Sequence, residues 1–75
     1  MSATDKPADP HWVDDQGNAI SCVEKLRVLR ENLAEIRQVC QDAFEDALLM
    51  GCSEAQLRAI FQQVVAELEN PYRKG

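Results

Sequence analysis

Histidine is almost missing from this chain: His11 is the single copy, and the three cysteines, Cys22, Cys40 and Cys52, form no close pair. One histidine excludes a two-Cys, two-His zinc site within one chain. Three scattered thiols do not make a disulfide framework, and in a reducing compartment they read as small core residues. Cys22 and Cys40 fall on one predicted helix, roughly 27 Å apart along its axis, so they reach a common ion only across an antiparallel dimer. There is no Ser-His-Asp set, no glycine-rich phosphate loop and no cysteine with a histidine placed to activate it. The expectation is a protein that is not an enzyme and uses no cofactor or metal.

Basic character is also lacking. The net charge is −5, and the stretches 1–20, 21–50 and 51–75 carry −3, −2 and 0, so none is net basic. Nucleic-acid binders carry a basic patch that releases counterions, and no such partner is expected. The bases Lys25, Arg27, Arg30 and Arg37 are interleaved with Glu24, Glu31 and Glu35, as in solvated intrahelical pairs such as Arg27 with Glu31. Nowhere is there an apolar run of about 20 residues, which a membrane span requires. Met1 is followed by Ser, Ala, Thr and Asp rather than by a basic and then apolar stretch. A cytoplasmic protein that does not enter membranes is expected.

What the chain does have is a packing stripe. Cys22, Leu26, Leu29, Leu33, Ile36, Cys40, Ala43, Ala47 and Met50 follow at alternating steps of four and three, the spacing of a helix seam. Ser21 and Glu24 form a capping box at its start, and Gly51 suits a left-handed cap at its end. Ser53 and Gln56 form a second box, with Cys52 placed to staple onto Leu57. A shorter helix follows, carrying Leu57, Ile60, Phe61, Val64, Val65 and Leu68, and Asn70-Pro71 blocks its continuation. The spacing predicts helices over 22–50 and 54–69. The turn between them is tight, so they should form an antiparallel hairpin.

Upstream, 1–10 lacks any apolar period and reads as a disordered leader. Residues 11–20 place Trp12, Val13 and Ile20 around an Asp-Asp-Gln-Gly-Asn turn, a small hairpin or Ω-like arm that needs an apolar bed. The domain is then 21–70, with a fraying tail over 71–75. The fold class expected is all-α: a long helix and a short one, an extended N-terminal arm, and a core completed by association.

The helices are unequal, about 44 Å against 24 Å, so the short one covers the long one only from about Ala34 onward. Two apolar surfaces are left over. Leu26, Leu29 and Leu33 need the Trp12 arm or a second copy as a cover, and antiparallel pairing of two hairpins makes a four-helix bundle. Phe44, Leu48 and Leu49 lie beside the turn, rimmed by Asp42, Glu45 and Asp46, and have the anatomy of an interface centre with a polar border. The three acids crowd one side near the negative end of the helix dipole, where they are disfavoured. A docking patch for basic groups and a weak divalent-ion site both fit them, and so does an ordinary solvated face. The helix runs from basic to acidic, which suits a homodimer with its copies reversed.

The string Glu45, Asp46, Ala47, Leu48, Leu49, Met50, Gly51, with Trp12, the Ile20, Ser21, Cys22 start and the Asn70, Pro71, Tyr72 exit, resembles the small orphan helical accessory proteins of proteobacterial metalloenzyme gene clusters, including those for nitrogen fixation. The resemblance spans 11–73 and includes no motif with a chemical mechanism. It implies an accessory or assembly factor that docks on a larger enzyme. From the residues alone, the first expectation is a non-catalytic protein docking on a larger complex. A self-contained homodimeric helical-bundle regulator is the alternative, and a cysteine-based metal-binding or redox protein the more distant one.

Overall fold

The computed structural model describes residues 9–72. The rest of the expected leader, 1–8, and of the expected tail, 73–75, lies outside the described residues. The fold is all-helical, with two helices, α1 (Val23–Leu49) and α2 (Glu54–Ala66), and no strand among the described residues. Among the described residues, no helix is long and apolar enough to cross a membrane. The chain divides into two compact units, Met1–Gln38 and Val39–Gly75, with the division inside α1.

In the first unit, the segment before α1 closes on itself. Val13 and Ala19 form an isolated antiparallel bridge, and the Ile20 amide donates to the Trp12 carbonyl at 3.0 Å. The turn is held from inside by Asp14, whose Oδ1 accepts from the amides of Gln16 and Asn18, each at 2.9 Å. Such an Asx clamp substitutes a side-chain acceptor for a backbone one. Gly17 takes φ +86°, a conformation that costs a residue with Cβ but not glycine.

The start of α1 is one residue later than the capping box predicts. Leu26 donates to the Cys22 carbonyl at 3.0 Å, which makes Cys22 the residue that opens the helix. Along the first turns, Arg27 pairs with Glu24 and lies 3.7 Å from Glu31. Arg30 reaches back to Asp9 at 3.1 Å. These pairs are exposed, so each contributes little to stability.

In the second unit, α1 ends in a Schellman motif. The Cys52 amide donates to the Ala47 carbonyl and the Gly51 amide to that of Leu48, both at 3.0 Å, while Gly51 takes φ +91°. Two of the last carbonyls of α1 are thereby satisfied. Ser53 then caps α2, its Oγ accepting from the Gln56 amide at 3.2 Å. The helix finishes at Ala66 rather than near 69. Glu67 shares its amide between the carbonyls of Gln63 and Val64, a tightening typical of a last turn. Asn70 then draws the chain away, its Oδ1 accepting from the Tyr72 amide at 2.8 Å across Pro71.

Candidate functional site

In the first unit, Trp12, Ile20, Leu26, Leu29 and Leu33 are half-buried, and every other described side chain is exposed. The four residues expected to serve arm packing or self-association are thus in this set. Trp12 Nε1 is buried without a hydrogen-bond partner among the described residues. An open groove of about 400 Å³ is lined by Ile20, Glu24, Lys25, Val28 and Leu29. Val28 did not stand out in the sequence, because it lies off the heptad stripe.

Cys22 lies at the mouth of α1, and its thiol is exposed. The amide of Lys25 donates to it, and this lowers its pKa from the ordinary thiol value; residual burial opposes the shift, while the Glu24 amide and the Lys25 charge assist it. A helix start favours anions for the same reason. Cys40 and Cys52 are exposed as well, so the thiols do not form a core within one chain. Among the described residues, no three His, Cys, Asp or Glu side chains converge as a metal site would require.

In the second unit, Leu57 is the one buried side chain among all described residues, at 7% exposure. In the same unit, Phe44, Ala47 and Phe61 are half-buried. Phe44 meets Phe61 edge to face, with centroids 6.1 Å apart and planes at 67°, the arrangement that aromatic quadrupoles favour. The Arg58 guanidinium lies over the Phe44 ring at 4.8 Å while bonded to Glu54 at 3.0 Å. Phe44 is therefore partly covered from within its own unit. Leu48 is 39% exposed and Leu49 87%. Of the acids beside them, Glu45 accepts from Gln41 at 2.7 Å, and Asp42 and Asp46 are exposed.

Two grooves mark this unit. One, of about 210 Å³, is lined by Val39, Cys40, Ala43, Phe61, Val64 and Val65. The other, of about 180 Å³, lies among Cys40, Gln41, Phe44, Arg58 and Phe61. The stripe positions Cys40 and Ala43 are exposed and line the first groove together with Phe61. A 3.5-residue repeat drifts across a 3.6-residue helix, and that drift is the signal that could have located this groove. Compared with known proteins, the chain matches no family model, no curated protein and no solved structure.

Proposed function

We propose that the chain is a non-catalytic accessory module that docks on a larger protein through helical surfaces. The second unit is read as an antiparallel hairpin of the end of α1 and α2, with Phe44, Leu48 and Leu49 at the contact and Asp42, Glu45 and Asp46 as its rim. One observation carries the reading. Leu57 is buried, while Val39, Leu49, Met50, Val64, Val65 and Leu68 are each more than half exposed. Full burial of such a side chain contributes ~1.5–3 kcal/mol, large beside the ~5–15 kcal/mol that holds a small domain together. A surface this rich in apolar side chains gains most by meeting another one. The Phe44–Phe61 contact and the tight Gly51 turn support the hairpin.

The likeness to accessory proteins of metalloenzyme clusters makes a large enzyme the partner to look for. The test is capture of the native partner on the immobilised full chain, repeated with Phe44→Ser and Leu48→Ser. One stoichiometric protein, lost in both variants while their helix content is kept, is the expected result. Capture that ignores both substitutions overturns the assigned surface. A chain that binds only itself favours the homodimeric regulator.

A further inference from the structure

We infer that the groove of Val39, Cys40, Ala43, Phe61, Val64 and Val65 receives a basic amphipathic helix from another protein. The inference rests on the reading of the chain as a docking module and names the chemistry of its partner. The lining is apolar throughout. Val39, Val64 and Val65 are 66%, 54% and 67% exposed, and they form walls beside the small side chains of Cys40 and Ala43. At about 210 Å³ the space falls short of the ~300 Å³ of a small-molecule pocket, and it is open. That geometry takes a row of side chains from a helix, the groove mode that reads anchors at i, i+3 or i+4 and i+7.

Charge selects the sign of that helix. Residues 39–75 hold six carboxylates, Asp42, Glu45, Asp46, Glu54, Glu67 and Glu69, against three bases, Arg58, Arg73 and Lys74. Arg58 is already engaged by Glu54 and Phe44. Asp42 and Asp46 follow Val39 and Ala43 by three residues along α1, and Glu67 follows Val64 by three at the end of α2, so each is one helical turn from a lining residue. Neither helix has a base in its last turn, where the dipole favours cations. Lysines or arginines flanking the anchors of an incoming helix would supply them. A second copy of this unit would bring the same acidic excess against itself, which disfavours self-pairing here.

Calorimetric titration of the full chain tests the assignment. The probe is a synthetic helical peptide with leucines at i, i+3, i+4 and i+7 spacing and lysine flanks. Its controls are a glutamate-flanked twin and a scrambled peptide of the same composition. The expected result is one-to-one binding of the lysine peptide alone. Ala43→Leu, which fills the groove at an exposed position, should weaken it by about tenfold or more. Asp42→Asn with Asp46→Asn should weaken it less and flatten its salt dependence. Equal binding of either control peptide, or no effect of Ala43→Leu, overturns the inference. So does a chain dimer that Ala43→Leu dissociates, since the occupant is then a second copy. Should the lysine peptide fail while native partner capture still depends on Phe44 and Leu48, this inference falls alone; loss of both removes the docking reading as well.

Discussion

Replacing Gly51 separates backbone conformation from packing at the turn between the helices. Its φ is +91°, and a Cβ built there meets nothing within 4 Å. The whole cost of an L-alanine is therefore conformational, about 1–2 kcal/mol for the left-handed region. That reduces the folded-to-unfolded ratio roughly 5- to 30-fold. D-alanine, which prefers positive φ, should be neutral or stabilising by ~0.4–1 kcal/mol, because it narrows the unfolded ensemble without straining the folded one. A chain of 75 residues is accessible to chemical synthesis, so both variants can be made. Urea titrations followed by far-UV circular dichroism give the two differences, with equal slopes expected because the exposed area is unchanged. If L- and D-alanine cost the same, the positive φ is not what Gly51 provides, and the Schellman account of the turn fails.

Ser53→Ala removes the acceptor that caps α2 and should cost about 1 kcal/mol in the same titration, with Ser53→Gly costing less. Phe44→Ser should weaken partner association by ~1–3 kcal/mol and, through its edge contact with Phe61, reduce stability by a further ~0.5–1.5 kcal/mol; Leu29→Ser, in the other unit, should leave that association intact when both are measured by titration. The thiolate of Cys22 should form at lower pH than that of a free cysteine, as the direction of its shift requires. Iodoacetamide rates against pH in a Cys40→Ser, Cys52→Ser background should therefore rise earlier than those of a cysteine peptide.

Local chemistry was legible in the sequence, and surfaces were not. Gly51 and Ser53 do their work through bonds to residues at most four positions away, so their types alone announce the turn and the cap. Ser21 misleads by one place because a neighbour, Cys22, also offers a side-chain acceptor to the first free amides. The end of α2 misleads because the apolar spacing runs on through Leu68 while the Asn70 turn withdraws the chain sooner. Phe44 illustrates the harder problem. Its distance from the heptad stripe suggested a contact residue that the second helix covers only in part, but not that Phe61 and Arg58 would be what covers its ring. Which face of a helix its neighbour covers depends on crossing geometry, and that is written in no single residue.

The unpartnered indole nitrogen of Trp12 gives the first unit a clock. A buried N–H without an acceptor costs about 1–3 kcal/mol against its hydrated state, so solvation of this one bond pulls the arm toward opening. It has no acceptor among the described residues, so its proton exchange is gated by access to water. Exchange of that proton then times the exposure of Trp12 to water.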